Sequence, residues 1–559
     1  MAADSIRSSS NVSSSSNSSH SDQPILIDKE NDEIIKVESI TSSESNELLK
    51  NPFLDPHVEE YYRTLYNASE YECRTAFDPK FTWTEDEEKK VIRKLNFRVA
   101  LTACIMFVAL QVDRGNLAQA VTDNMLEDLN MTTNDYNTGN TIFYVTFLLA
   151  EVPSQLISKA LGPDIFIPIQ ICAWSVVAIS QCAIKNKAGF YITRAFIGAL
   201  EGGFIADLVL WLSYFFTSAE LPVRLSWFWT TLSLVQIATA LLAFGILRMR
   251  GILGWAGWNW LFLIEGLFTL LVGLASFYLM VPSAVQTRNW MHRKGWFTER
   301  EEKIVVNRVL RDDPSKGTMH NRQALSPRML WKCLTDYDLW PIYAIGVVAY
   351  IGTSTLTSYF GLMNKQLGFS TFDTNLLTIP QAVIHIILLL IITWLSERIN
   401  QRALVCLLAP LYATPIMGVI RWWSGSGHNI WGTWTLNTLY LGQPYIHAIV
   451  VSWVSRNSNS VRTRSVASAL YNMFVQLGSI IANNIYRTDD KPLYKRGNMQ
   501  LFFISFALIP ILILVKLYYV WKNKSRDKIW NAMTEEQRID YRANTTDEGN
   551  KRLDFRFDH

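Results

Sequence analysis

Charge is scarce in this chain: 18% of its 559 residues are Asp, Glu, Lys or Arg, against roughly 25% in a soluble domain. With 49% hydrophobic residues and a positive mean hydropathy despite a long polar opening, that deficit excludes an ordinary soluble fold. Cysteine is also sparse. The six (Cys73, Cys104, Cys172, Cys182, Cys333, Cys406) show no C-x-x-C spacing and fall mostly in apolar segments, which argues against a disulfide framework or a metal site. No Walker A sequence is present, so ATP is not expected to supply energy. A net charge of +3, without a basic run interleaved with aromatics, gives no reason to expect nucleic acid. The opening MAADSIRSSSNVSSSSNSSH lacks the apolar core of a cleavable signal, so the first membrane helix is expected to direct insertion.

What the chain does have is long apolar runs. Crossing about 30 Å of hydrocarbon takes about 20 helical residues, and candidate spans begin near Asn96, Asn140, Ile165, Gly189, Leu225 and Trp260. A second set begins near Trp340, Asp373, Ala403, Trp431, Ser465 and Leu501. The expected fold is therefore all-α and polytopic, with 12 transmembrane helices in two six-helix halves, a layout typical of transporters. The boundaries read as a tail over 1–94, disordered for about its first 50 residues, a first half over 95–281 and a central loop over 282–339. A second half follows over 340–521, then a closing tail over 522–559. In the central loop Thr298 can cap an amphipathic helix with an acidic first turn and an apolar stripe of Ile304, Val305 and Val309.

Charge placement predicts orientation. The loop from Thr122 to Gly139 carries Asp123, Glu127, Asp128 and Asp135 and no Lys or Arg, so it is expected outside, with an Asn130-Met-Thr sequon on it. The central loop carries 11 Lys/Arg against 7 Asp/Glu between Arg288 and Asp338. Both termini are thus expected on the cytoplasmic side. Arg248 and Arg250 run against this rule, since they fall on the expected outer side.

The chemistry is expected where charges interrupt apolar spans. Each costs about 2.5–3.5 kcal/mol at mid-bilayer on the insertion scale, so retained charges normally line a cavity, pair, or handle ions and protons. Asp113 and Arg114 are adjacent in the first span, about 100° apart, so one can face a cavity while the other pairs across. Arg194 and Glu201 lie two turns apart on one face of the fourth, with Gly198 between them for close approach. Glu201 is a candidate proton carrier, and Arg194 a holder of its partner, with Asp113 the expected one, or of an anion. A buried structural ion pair and a solvated Asp113 remain open. Asp207 reads equally as a selectivity or coupling residue or as a group at the membrane edge. Glu265 reads as structural. His385 and His447 read as core histidines, and Gln381, Tyr445, Asn472 and Gln476 as neutral groups lining the second half.

In their order and spacing these features resemble the major facilitator superfamily, and within it the fungal allantoate-permease branch of the anion:cation symporters. The resemblance runs from about Phe81 to Lys528. It is carried by Asp113-Arg-x-Asn116, Arg194-x-x-x-Gly-x-x-Glu201-Gly, Tyr214-Phe-Phe-Thr-x-x-Glu220, Gly257-Trp-Asn-Trp-Leu-Phe-Leu-Ile-Glu265-Gly, Trp453-x-Ser-x-Asn457 and Lys491-Pro-Leu-Tyr-x-x-Gly497. Between spans two and three only Gly162-Pro163 of the superfamily's charged signature is kept, and Asp207 stands where many members have Gly. Phe77-Asp-Pro-Lys-Phe-Thr-Trp-Thr84, Arg311-Asp-Asp-Pro-Ser-Lys-Gly317 and Asp489-Asp-Lys-Pro492 look most like yeast sulfonate permeases.

The resemblance implies a monomeric plasma-membrane symporter, with no cofactor and no enzymatic activity, that couples protons to a small organic anion, sulfonate or carboxylate. It implies proton coupling through Asp113 and Glu201 and anion binding through Arg114 and Arg194, with both halves rocking to alternate access; Asp207, a departure from the family, is added as a coupling candidate from its own charge. A transporter-like nutrient sensor, a carrier of vitamin- or allantoate-type carboxylates and a membrane enzyme are the competing readings. A sensor would carry a long cytoplasmic domain, and an enzyme would cluster polar catalytic residues at one interface.

Overall fold

The computed structural model describes residues 51–559 apart from 55, 69–70, 218–219, 289–292, 315, 320–326, 459–460, 546 and 548. The expected disordered tail, residues 1 to about 50, lies outside the described residues. Within them the chain is helical throughout, with no strand. Two helices precede the spans: α1 (Pro56–Ala68) and α2 (Glu85–Leu95). Six spans follow as α3 (Leu101–Thr122), α4 (Thr133–Leu161), α5 (Pro163–Ser180), the broken pair α6 (Lys187–Glu201) and α7 (Phe204–Ser213), α8 (Leu221–Ile246) and α9 (Gly257–Leu279). The central helix α10 (Glu299–Asp312) leads to α11 (Trp340–Ala349) and α12 (Ile351–Gln366), which form one span, then α13 (Ile379–Ile399) and α14 (Leu408–Trp422). The tenth span is again broken, into α15 (Ile430–Leu441) and α16 (His447–Asn457), before α17 (Val461–Ala482), α18 (Lys495–Ala532) and the short α19 (Glu535–Asn544).

Nine helical stretches among the described residues are long and apolar enough to cross a membrane. The remaining spans are α4, which follows its polar Thr-Asn-Asp-Tyr-Asn-Thr opening with a long apolar stretch, the split tenth span, and α17, whose described apolar part is Val466–Ala482. The chain is a multi-pass membrane protein.

Threonine side chains set several helix starts. Thr84, Thr132 and Thr298 each accept from the backbone N–H three residues on, and a Glu or Asp there bonds back, satisfying two of the donors a helix start leaves open. The fourth span breaks at Gly202-Gly203, where Gly203 takes φ +81°, a left-handed conformation natural to glycine. The carbonyls freed there are satisfied inside the bundle: Gln170 Nε2 donates to Leu200 O at 3.0 Å and Gly202 O at 2.9 Å.

The two ends of the bundle differ. At the tail end, Lys94 pairs with Glu301 at 2.7 Å, Arg300 with Glu87 at 2.7 Å and Arg308 with Glu220 at 2.7 Å, fixing α2 and α10 against the foot of α8. The closing residues also dock at this end. Trp453 Nε1 donates to Asp558 O at 2.7 Å, Asn457 exchanges two bonds with the Asp558 backbone, and Lys551 pairs with Asp336 and Asp338. At the far end, helices from the first six spans bond those of the last six. Asn137 Nδ2 donates to Tyr486 O at 2.6 Å, Tyr359 donates to Asn137 Oδ1, and Lys365 Nζ donates to Thr122 O at 2.8 Å. Tyr136, Tyr359, Tyr486 and Tyr494 pack edge-on and stacked around these bonds. The structure thus holds the far ends of the two sets of spans together. Arg248 and Arg250 lie at this end without conflict: Arg250 pairs with Asp123 at 3.1 Å and Asp128 at 3.3 Å, and Arg248 lies over the Phe244 and Phe372 rings.

Candidate functional site

The four charges that interrupt the first and fourth spans meet inside the first bundle, in a different pairing from the expected one. Arg114 Nε donates to Glu201 Oε2 at 2.7 Å; the Glu201 side chain is fully buried and that of Arg114 is 21% exposed. Asp113 does not pair with Arg194. Its adjacent position on α3 turns it about 100° from Arg114, toward α5, where it accepts from Trp174 Nε1 at 2.9 Å while only 1% exposed. A solvated Asp113 at the interface is excluded by that burial. Arg194 instead lies over the Phe143 ring at 4.4 Å and donates to Asn140 Oδ1 at 3.4 Å. Phe143 also lies 5.8 Å and Phe147 5.1 Å from the Arg114 guanidinium. The aromatic faces of α4 thus supply electron-rich surface to both arginines.

The sequence brings these groups together through small residues and a break. Gly198 sits against the Phe143 carbonyl, so close that a Cβ would meet it at 2.3 Å, and this presses α6 on α4. Glu201 is the last residue of α6, immediately before the Gly202-Gly203 break. Asp207 lies beyond it in the first turn of α7, 1% exposed, beside Ser158 and within electrostatic range of Glu151. It is buried inside the bundle among neighbours on α4, one of which, Glu151, also lies within electrostatic range of Arg114.

Sequence reasoning missed Glu151, Trp174, Phe143 and Gln443. Glu151 was legible by the rule that singled out the other charges, as a carboxylate in an apolar span. It is 7% exposed and within electrostatic range of Arg114. No sequence signal distinguishes Trp174 or Phe143 from other core aromatics.

In the last six spans, Tyr445 is half-buried at the break between α15 and α16 and joins a ring cluster. His385 lies 5.0 Å, Tyr350 5.5 Å and His447 5.7 Å from it, centroid to centroid, so the two histidines share one aromatic neighbour. Gln443, in the same break, donates to Thr353 Oγ1 at 2.6 Å. Gln381, Asn472 and Gln476 are half-buried on α13 and α17, and among the described residues none of the three is hydrogen-bonded to Arg114 or Arg194. One guanidinium with partial exposure, held by a dry carboxylate and flanked by rings, can exchange that carboxylate for another anion.

Residues 103–483 match the Major Facilitator Superfamily. The chain belongs to that superfamily. An uncharacterized transporter of Saccharomyces cerevisiae, YIL166C, is 47% identical over 528 residues, spanning 94% of this chain and 97% of that one. The major facilitator-type transporter hxnP of Emericella nidulans is 26% identical over 419 residues, 73% of this chain and 81% of its own. The fold is similar to that of the xylose transporter XylE from E. coli in a partially occluded inward open conformation. Its TM-score is 0.55 at 14% identity, over 76% of this chain and 97% of the other. As a member of this superfamily the protein is a membrane transporter.

Proposed function

We propose that this transporter is a proton-coupled symporter of a small organic anion, a sulfonate or carboxylate, working by alternating access at the plasma membrane with both termini cytoplasmic. The observation that carries the reading is the Arg114–Glu201 pair: a dry carboxylate bonded at 2.7 Å to an arginine that keeps partial exposure. Removing one partner of a buried ion pair typically costs about 3–5 kcal/mol, because the other charge is left unpaired. A proton arriving on Glu201 leaves Arg114 without a partner, and an anion arriving on Arg114 supplies one. Each event is unfavourable alone and favourable with the other, which is thermodynamic coupling. Arg194 adds positive potential beside the site, Asp113 and Asp207 are further coupling carboxylates, and Tyr445, Gln381, Asn472 and Gln476 are the proposed contacts from the second half. The acidic loop 123–135 and the basic central segment support the proposed orientation.

The test is uptake of labelled taurine or isethionate, then allantoate and nicotinate, into cells with and without the protein, in acidic and near-neutral medium. Acid-stimulated accumulation that an uncoupler abolishes is expected for wild type. Glu201→Gln is expected to equilibrate substrate without concentrating it. A variant that still concentrates substrate under a proton gradient would remove Glu201 from the coupling role.

A further inference from the structure

Glu265 is a buried carboxylate for which the pairing of Arg114 with Glu201 provides no use. It lies midway along α9, 2% exposed, and neither of its carboxyl oxygens has a hydrogen-bond partner among the described residues. Two bonds fix what surrounds it. Trp174 of α5 donates to Asp113 of α3 at 2.9 Å, and the next residue, Ser175, donates to Thr269 of α9 at 2.9 Å. Glu265 precedes Thr269 by four residues and so shares its face of α9. Close packing of α9 on α5 makes the seam dry: a Cβ on Gly266 would meet the Ile179 backbone N at 3.0 Å. Asp113 and Glu265 therefore belong to one three-helix seam and lie within electrostatic range of each other.

Among the described residues of the elements packed on α9, no base is paired with them. The elements packed on α9 are α3, α5, α8 and the turns at 181–183 and 247–249. Their charged residues are Asp113, Arg114, Asp164, Arg224 and Arg248. Arg114 is committed to Glu201, Arg224 donates to Asn96 at the tail end, and Arg248 lies over Phe244 and Phe372 at the far end. Asp164 opens α5 at the tail end and adds only negative charge. Two ionised carboxylates in a dry seam repel each other, and of their lost hydration only the Trp174 bond to Asp113 replaces a part. A proton on one carboxylate removes the repulsion and that group's own desolvation penalty, and only a second proton removes the penalty of the other.

We infer that Asp113 and Glu265 form a second proton-holding site, distinct from the Arg114–Glu201 pair. Asp113 also lies within electrostatic range of Glu201, so ionisation at one site weighs on the other and the two sites release protons interdependently. The inference deepens the proton-coupled reading and rests on it, but its test needs no substrate.

Infrared difference spectra of the purified full-length protein, recorded across a pH titration in water and heavy water, read protonated buried carboxyl groups directly. Glu265→Gln, nearly isosteric, is expected to remove one deuterium-sensitive carboxyl band present in wild type. Trp174→Phe is expected to keep that band and shift the one from Asp113. Spectra of Glu265→Gln identical to wild type would overturn the inference, as would loss of the wild-type band on replacing choline with sodium, which would make the seam a sodium site. Should Glu201→Gln retain coupled uptake while the Glu265 band is present, the coupling assignment fails and the proton site stands.

Discussion

At the scale of single residues, the site depends on how closely backbones approach. Gly198 is the clearest case, since an added methyl would meet Phe143 O and Thr146 Oγ1, each at 2.3 Å, and a carbonyl cannot swing aside as a side-chain tip can. Gly198→Ala is expected to push α6 off α4 and to cost about 1–3 kcal/mol by overpacking. Arg194 and Glu201 ride on α6, so anion uptake should fall with it. Gly245→Ala, where a Cβ meets nothing within 4 Å, is the control. Thermal unfolding of the two variants in detergent checks the difference, and equal midpoints would refute the packing argument. The presence of charge at Asp113, Arg114, Arg194 and Glu201 was legible in the sequence because apolar flanks make any charge conspicuous. Who pairs with whom was not. Adjacent residues on a helix diverge by about 100°, and only the packing of α3 against α5 and α6 decides which neighbour each one meets.

At the scale of elements, span starts were legible to within a few residues where hydropathy changes sharply, as at Trp340 and Trp431 against observed starts at 340 and 430. The second span begins at Thr133 and not near Asn140, because a Thr132–Asp135 capping box extends the helix through polar residues that hydropathy discounts. Outside the membrane, α2 and α10 are joined by charge, and this gives a pH prediction. The bond from Arg300 holds the Glu87 carboxyl down at about 2, below its ordinary value of 4.5. Burial would raise Glu301, but Lys94 and the Thr298 cap outweigh it and hold it below that value too. Carboxylates with depressed values contribute stability that is complete above about pH 4.5 and is lost as pH falls toward about 2. Protection factors for hydrogen exchange in α2 and α10, taken against the intrinsic rate at each pH, should therefore be constant from neutral pH down to mild acid and fall below it. High salt should weaken the exposed Glu87–Arg300 contact first. Protection factors that stay constant down to about pH 2, or that fall only as pH rises through neutrality, would contradict the assignment.

At the scale of the whole molecule, the two sets of spans are joined at the far end by Asn137, Tyr359, Tyr486, Lys365 and Thr122. The proposed alternating access requires that this seam open in turn. Asn137 both donates to Tyr486 O and accepts from Tyr359, and it is 3% exposed. Asn137→Ala leaves buried partners unsatisfied, at about 1–3 kcal/mol for each such group. That should shift the population toward a far-end-open state by tenfold or more at 1.4 kcal/mol. Spin labels across the seam, or labelling of a cysteine introduced beneath it, are the measurements. Unchanged distances would mean that the tyrosine packing alone holds the seam shut.

The sequence by itself determined that this chain lives in a bilayer, roughly where it crosses, and which spans carry charge. Those properties follow from transfer free energies, which each segment carries with it whatever its neighbours are. Superfamily membership was likewise legible in the order and spacing of short motifs. Only the tertiary structure decided that Arg114 takes Glu201, that Asp113 turns to Trp174, that Glu265 shares a seam with Asp113, and that the far ends are closed together. Pairing depends on distance and direction between helices far apart in sequence, and these are set by how glycines, breaks and aromatic rings let the helices pack.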